Sequence, residues 1–396
     1  MTATFRRPNA DERVGFMRTF VDVMNQGVSD ERLGEYQEHI ELERSWLAED
    51  AGRMVGTITG YSFELTLPGG STVPMAGLSD AAVTPTHRRQ GILTELMARF
   101  DADVAEREEP VIGLFASEAA IYGRYGFGPA TRFMSVTVSR DRASGLDQLD
   151  IPGTVRWLRA ADATDEIAEI FERTRRGRVG EIRRPRHMLD GLLRRAAKGD
   201  TPVFVAIHDG PQGPDGYAIY RVDSKWVDHT AQNEVRVAEL TGDGLVRVAL
   251  WRFLLSLDLV KAVTDLNARL DEPVQDLLDD PRQLRVTGLY DQLQLRVVDP
   301  VAALRARTYG ADGRLRIGVG DCVYEMTVDG GKAEVQTTRA AAEVTLAPRA
   351  LSMVYLGDRS FRSLAQAGLA TIDAEAGSLA DAMFSVSPAP QCLTLF

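Results

Sequence analysis

The stretch Gly77–Phe100, GLSDAAVTPTHRRQGILTELMARF, decides the reading of the chain. Its apolar residues Leu78, Ala81 and Val83 mark a strand, Pro85 and Thr86 break it, and Arg88-Arg89-Gln90-Gly91 leads into a helix. In that helix Leu93, Leu96, Met97, Phe100 and Val104 recur at spacings of three and four. One stripe therefore meets a core while Thr94, Glu95, Arg99 and Asp101 face outward. The first N–H groups of such a helix have no intrahelical partner and stand at the positive end of its dipole, and Gly91 lets a ligand come close to the backbone. The turn reads as a seat for a phosphate or pyrophosphate.

The glycine spacing sorts the known phosphate-binding loops, since neither G-x-x-x-x-G-K-[ST] nor G-x-G-x-x-G is present. The run R-R-Q-G-I-L resembles the pyrophosphate-binding motif of the GNAT superfamily of N-acetyltransferases, Q/R-x-x-G-x-G/A. Arg88 or Arg89 opens it, Gly91 lies inside it, and Leu93 stands where many members have a small residue. A helix start with two solvated arginines is the plainer reading of the same residues. From Val111, VIGLFAS reads as a buried strand, followed by Glu118 and by IYGRYGFG at residues 121–128. Tyr122, Gly126 and Phe127 resemble the superfamily's tyrosine followed by x-x-x-G-F. Such a tyrosine can hand its proton to the leaving thiolate of coenzyme A, whereas Tyr125 reads as a packing residue. Together, VTPTHRRQGIL, ASEAAIYGRYGFGPAT and an aromatic last residue resemble the Eis (enhanced intracellular survival) family of acetyltransferases, over the whole chain.

That resemblance implies an α+β (mixed α/β) chain. Residues 1–150 would form an active acetyltransferase domain, 151–286 a degenerate GNAT-like domain, and 287–396 a sterol-carrier-protein-like domain ending in the catalytic C-terminus. It implies acetyl-CoA as cosubstrate, with its pantetheine along Ala81, Ala82 and Val83. Its pyrophosphate would lie on Arg88, Arg89, Gln90, Gly91, Ile92, Leu93 and Thr94, and its thioester beside Ser117 and Glu118. Tyr122 would be the general acid and the terminal carboxylate of Phe396 the general base, with Phe20, Asp22 and Tyr36 meeting the acceptor; Ser79 and Asp80 are added to that side from their place in the strand near the reaction centre, not from the resemblance. The family acetylates aminoglycosides and lysine side chains of some peptides, so a small cationic amine is expected as acceptor and a homohexamer, a trimer of dimers, as the assembly.

Composition bounds this reading. The 46 basic against 57 acidic residues give a net charge of −11, which argues against nucleic acid as a partner and suits a cationic substrate. One basic stretch, Arg173 to Lys198, lacks interleaved aromatics and reads as a solvated helical face or subunit contact rather than a nucleic-acid patch. Cys322 and Cys392 carry no metal-ligand spacing, so no metal is expected and reduced cytoplasmic thiols are the default. The N-terminus has no apolar run for a signal peptide, and no segment reaches the roughly eighteen apolar residues needed to cross a bilayer, so no membrane association is expected.

In chain order, a strand over Thr2–Arg6 precedes a helix over Ala10–Met24, with Val14, Met17, Phe20, Val21 and Met24 on its stripe and Asp22 off it. Strands over Met54–Glu64 and Ser71–Met75 flank the turn at Pro68-Gly69-Gly70. Asp80 sits inside the following strand beside Ser79, and an acid there must be paired or face a cleft; by resemblance, relatives can carry an aromatic residue at that place. Strands from Thr131 to Ser139 are expected to close the first domain. The second unit repeats the plan without the Arg-x-x-Gly turn, which predicts a lost cofactor site. In the third, LRIGV, VYEMTV, AEVQT and AEVTL read as strands, followed by helices over Pro348–Leu356 and Ser360–Gly368. The end, PAPQCLTLF, is stiffened by two prolines and apolar at its tip, as a tail built for insertion would be.

Overall fold

The computed structural model describes residues 3–29, 33–34 and 39–396. Its first unit begins with β1 (Thr4–Arg6), a short 3-10 turn over Ala10–Glu12 and α1 (Arg13–Val23). Then come β2 (Ser45–Asp50), β3 (Arg53–Thr66), β4 (Thr72–Val83), α2 (Ile92–Glu106), β5 (Val111–Phe115), α3 (Ala119–Tyr122) and β6 (Gly128–Pro129). β3 and β4 make the expected hairpin, and α2 crosses the sheet to bring β5 parallel to β4. Ile92, Leu96, Met97, Phe100 and Val104 are buried against sheet residues such as Val55, Ile58 and Leu78. Each such side chain contributes about 1.5–3 kcal/mol. Ile92 opens this stripe, and Leu93, expected there, is only half buried.

The second unit runs β7 (Arg132–Ser139), β8 (Thr154–Arg159), α4 (Thr164–Arg175), α5 (Arg186–Ala196), β9 (Val203–Gly210) and β10 (Gly213–Asp223). It continues through a small pair, β11 (Trp226–Val227) and β12 (Thr230–Ala231), to β13 (Asn233–Thr241), α6 (Leu245–Ser256), β14 (Val260–Ala268), α7 (Val274–Leu277) and β15 (Leu284–Asp291). The fully buried Trp251 of α6 sits in its core. After β16 (Leu293–Val297) and α8 (Pro300–Ala306), the third unit is built from β17 (Gly313–Val319), β18 (Cys322–Asp329), β19 (Lys332–Thr338), β20 (Val344–Leu346), α9 (Pro348–Tyr355), α10 (Phe361–Gln366), β21 (Ala370–Ile372) and α11 (Ala376–Phe384). Leu315, Ile317, Met326, Phe361 and Phe384 lie in a core between its sheet and helices. Among the described residues no helix is long and apolar enough to cross a membrane.

Among the described residues these strands form four sheets: the small β11-β12 pair and three larger ones in the orders β1-β2-β3-β4-β5-β16-β6, β15-β7-β14-β13-β10-β9-β8 and β19-β18-β17-β20-β21. The first two of the larger sheets exchange strands, which corrects the sequence reading. Arg132–Ser139, expected to close the first domain, pairs with β14 and β15 in the second sheet. Leu293–Val297, expected with the third unit, lies between β5 and β6 in the first. The cause is one antiparallel pair that passes from sheet to sheet. Asp291 faces Arg132 on one side of the crossing, and Gln294 faces Pro129 on the other. At the crossing, Gln292 N–H donates to Thr131 O at 3.0 Å and Leu293 N–H to Thr131 Oγ1 at 3.0 Å. Alternation of apolar residues is the same whichever sheet a strand joins, so the exchange leaves no local mark.

The basic stretch is also corrected. Arg175, Arg178 and Arg184 are buried, not solvated. Arg175 bonds Glu64 of β3 and Glu172 of α4, tying the first two units together, and Arg184 forms a two-pronged pair with Glu239 at 2.9 and 2.7 Å.

Candidate active site

The turn before α2 is held open by two left-handed residues, Arg89 at φ +63° and Gly91 at φ +83°. Gly91 is the N-cap and brings no side chain to the helix end. The first intrahelical bond there runs from Glu95 N–H to Gly91 O at 3.0 Å, so the N–H groups of Ile92, Leu93 and Thr94 precede it. Arg88, Arg89, Gln90 and Thr94 are exposed around this end, whereas the Ile92 side chain is buried and can offer a ligand only its backbone. His87 does not reach toward a ligand. Its Nε2 pairs with Asp50 at 3.2 Å, and its Nδ1 meets the Thr84 and Thr86 hydroxyls, so it braces the loop. A β-branched side chain fits poorly at φ +83°. Gly91→Val costs about 1–3 kcal/mol of local strain and is expected to raise the KM for acetyl-CoA tenfold or more, with a smaller change in kcat, read from thiol release against acetyl-CoA concentration.

Behind the turn, the sheet opens. β4 and β5 pair only over Met75–Gly77 and Val111–Gly113, while β4 stays bonded to β3 on its other edge as far as Val83. The edge from Leu78 to Val83, which includes Ala81, Ala82 and Val83, therefore faces β5 without a partner strand. A bulge drives the parting. Thr59 pairs with Ser79 and Thr57 with Ala82, which leaves Asp80 and Ala81 opposite Ile58 alone. Asp80 takes φ +49°, and its carbonyl accepts the Thr57 hydroxyl at 2.7 Å. Such a bulge twists its strand away from its neighbour. An extended chain can add to the freed edge as a strand.

Tyr122 ends the short helix α3, whose N-cap is Glu118. Its ring is buried edge-on against Phe127, with centroids 6.0 Å apart. Burial, and then the charge of Glu118, raise its phenol above the ordinary value, so the hydroxyl keeps its proton at neutral pH. Ser117 and Glu118 are exposed beside it. Tyr125 meets Thr94 at 3.4 Å and accepts from Arg124 at 3.3 Å, linking this loop to the start of α2.

A cleft of about 510 Å³ opens beside the bulge, between α1, β3, β4, α5 and the C-terminal tail, and Phe20, Tyr61, Ser79, Asp80 and Phe396 line it. Asp22 is exposed on α1 and is not among the lining residues; Tyr36 lies outside the described residues. No local pattern points to Tyr61, nor to the wall formed by α5, which contributes His187 and Asp190. His187 stacks on His39 at 3.8 Å, and burial, followed by that neighbour's charge, lowers it to about 4. Asp80, buried with no cationic side chain bonded to it among the described residues, accepts from the Tyr61 hydroxyl at 3.3 Å and from Ser79 at 3.5 Å.

The tail reaches this cleft as its apolar tip and prolines lead one to expect. The Phe396 ring lies 4.6 Å from Phe63 and 5.0 Å from Phe115, at the point where β4 and β5 part. Gly77 makes room for it, since a Cβ there would stand 3.0 Å from the Phe396 ring and 2.3 Å from that of Phe63. The second unit holds the rest of the tail. The buried Glu181 carboxylate accepts Leu393 N–H at 2.8 Å and Thr394 N–H at 3.2 Å. Arg184 donates to Thr394 Oγ1 at 2.9 Å, and Gln391 N–H donates to Val179 O at 2.9 Å.

Comparison with known proteins places this geometry. Residues 4–130 and 180–305 each match a family described as acetyltransferase (GNAT) domain, and residues 286–393 match the sterol carrier protein domain. N-acetyltransferase Eis of Mycobacterium tuberculosis is 32% identical over 97% of both chains. An uncharacterized N-acetyltransferase of Streptomyces avermitilis is 34% identical over 93% of this chain and 92% of its own. The crystal structure of Eis1 from Mycobacterium abscessus superposes with a TM-score of 0.89 at 32% identity, covering 99% of this chain and 100% of that one.

Proposed function

The chain belongs to the Eis family of N-acetyltransferases, whose acetyl donor is acetyl-CoA, and from this premise we propose that it acetylates an amine of a small cationic acceptor such as an aminoglycoside or a lysine side chain. One observation carries the reading: Phe396 stands at the parting of β4 and β5 and lines the same cleft as Asp80 and Ser79. The donor would be held by residues suited to it. The uncapped N–H groups at the start of α2, with Arg88, Arg89 and Gln90 around them, suit a pyrophosphate. The free edge of Ala81, Ala82 and Val83 suits the amides of a pantetheine, with Ser117 and Glu118 beside the thioester that supplies the acetyl group.

The terminal carboxylate of Phe396 draws the acceptor's ammonium into the cleft and lifts its proton, directly or through a water. The amine then attacks the thioester carbonyl, and Tyr122 gives its proton to the departing thiolate. Phe20, Ser79 and Asp80 line the acceptor's side; Asp22, exposed on α1 and off the cleft lining, is given no acceptor contact, and Tyr36 keeps the role that the family resemblance assigns it. The assembly proposed on the same resemblance is a cytoplasmic homohexamer, a trimer of dimers. A panel of aminoglycosides, simple polyamines and lysine peptides, assayed for thiol release from acetyl-CoA, tests the reading. Turnover on a polycation supports it, and the absence of turnover on every amine turns it to a binding or lipid-carrying protein built on the same folds.

A further inference from the structure

We propose that Asp80 is the second carboxylate of the base, on which the proton lifted from the acceptor amine by the terminal carboxylate comes to rest. The inference rests on the acetyl-transfer reading of the cleft and assigns to one of its residues a role beyond contact with the acceptor.

Three observations carry it. The bulge in β4 puts Asp80 at the free strand edge and on the cleft that Phe396 also lines. Its φ of +49° is taken at least cost by glycine, asparagine and aspartate. Conformation alone thus explains a small residue but not a charge. Burial of that charge is costly, and among the described residues no arginine or lysine pairs with it; the groups that donate to it are the hydroxyls of Thr59, Tyr61 and Ser79. A cationic acceptor in the cleft would supply the missing counter-charge.

The chemistry favours two carboxylates over one. A free α-carboxyl titrates at roughly 3.3–3.7 and holds a proton poorly at neutral pH. Burial lifts Asp80 to about 6, against the hydrogen bonds from Thr59, Tyr61 and Ser79 that lower it. Asp80 thus holds a proton at higher pH than a free α-carboxyl does. The balance is simple. One ammonium proton leaves before attack, by way of the terminal carboxylate to Asp80 and then to solvent. The C–N bond forms and the C–S bond breaks, the thiolate takes the Tyr122 proton, and the second proton shed by the nitrogen as the amide forms returns the Tyr122 phenol to its starting state.

Other titratable groups face this place. Tyr61 stands on β3, with Glu41 acting on it, and burial holds its phenol well above the ordinary value. From α5 come His187, Asp190, Arg194 and Arg195, and His39 is stacked on His187. His187, at about 4, is neutral through the range in which Asp80 titrates.

The test is the pH profile of kcat/KM for the full chain with an acceptor that turns over, for the native protein and Asp80→Asn. Asparagine keeps the left-handed backbone and removes the charge. The native profile is expected to fall on the acid side with a midpoint near 6; in Asp80→Asn that limb moves below about pH 5 and the plateau drops about 10²-fold. Tyr61→Phe, which removes one hydrogen bond to the ionised carboxylate, moves the limb upward. Folding is checked separately. A carboxyl raised in the folded state costs stability as pH rises from its unfolded value near 3.9 to about 6, so Asp80→Asn should melt higher than the native chain above pH 6, with the gap closing toward pH 4. A limb that stays near 6 in Asp80→Asn at native rates overturns the proposal, and one that moves instead in His39→Gln assigns the titration to the stacked histidines. Failure of the native chain to turn over any amine would sink the acetyl-transfer reading itself, a distinct outcome.

Discussion

Tyr122→Phe lowers kcat for acetyl transfer by about 10²–10⁴-fold, the range of a general acid, and leaves KM for both substrates nearly unchanged. The substitution removes one oxygen from a ring that stays buried edge-on against Phe127. Among the described residues the Tyr122 hydroxyl makes no hydrogen bond, so its loss leaves no partner stranded and the fold should melt close to native. What disappears is the proton. A thiolate leaving without one must do so as an anion, and the barrier rises by about 2.7–5.5 kcal/mol for the fold-change expected. Because the proton moves only in the transition state, kcat and kcat/KM fall together. Steady-state kinetics with saturating acetyl-CoA measure this, and a variant within about threefold of native would remove Tyr122 from the chemistry. Tyr125→Phe is the companion measurement: its hydroxyl ties the loop to Thr94 and Arg124, so its loss should act on acetyl-CoA affinity more than on kcat.

The parts of this site that could be read from the sequence are those that the chain writes continuously. The turn from Val83 to Leu93 carries its own glycine and its own helix, and Tyr122 lies in one run with Gly126 and Phe127. Local backbone needs dictate those residues, so their spacing survives as a motif. What the sequence hides depends on pairing at long range. The exchange of Arg132–Ser139 and Leu293–Val297 between sheets brings together strands about 160 residues apart, and neither strand's alternation tells which sheet it joins. The wall formed by α5 was hidden for another reason. Its neighbourhood is so rich in arginine that a wet surface is the natural reading, yet Arg175 and Arg184 are buried on carboxylates distant in sequence. Asp80 stood out as an acid inside a strand, but only the register of β3 against β4 reveals the bulge that turns it to the cleft.

The second acetyltransferase-like unit, which lacks the basic turn, gains a purpose from the tail it holds. Asn267 of β14 donates to Ala238 O of β13 at 3.2 Å beyond the stretch where those strands pair, and Gln391 of the tail bonds the Asn267 carbonyl. The parting ends of β13 and β14 in this unit thus grip the end of the chain.

Glu181 is where that grip can be broken without touching either substrate. Its buried carboxylate accepts the N–H groups of Leu393 and Thr394, and Glu181→Gln turns one acceptor oxygen into a donor facing donors. Leaving a buried N–H unsatisfied costs about 1–3 kcal/mol. If that cost falls on the docked tail, its docking equilibrium constant drops roughly 5- to 150-fold, at about 1.4 kcal/mol per decade. Removing Leu395 and Phe396, or adding a few residues after Phe396, takes away the carboxylate altogether and should lower kcat by at least about 10²-fold. The two effects are coupled, and this separates a tail clamp from a general weakening of the fold. In the native chain Glu181→Gln lowers kcat and speeds amide hydrogen exchange in residues 392–396; in the shortened chain it has little left to remove, so the double variant is far less than additive. Full additivity, or an extended chain that turns over as fast as the native one, would mean that the end of the chain packs in the cleft without taking part in the reaction.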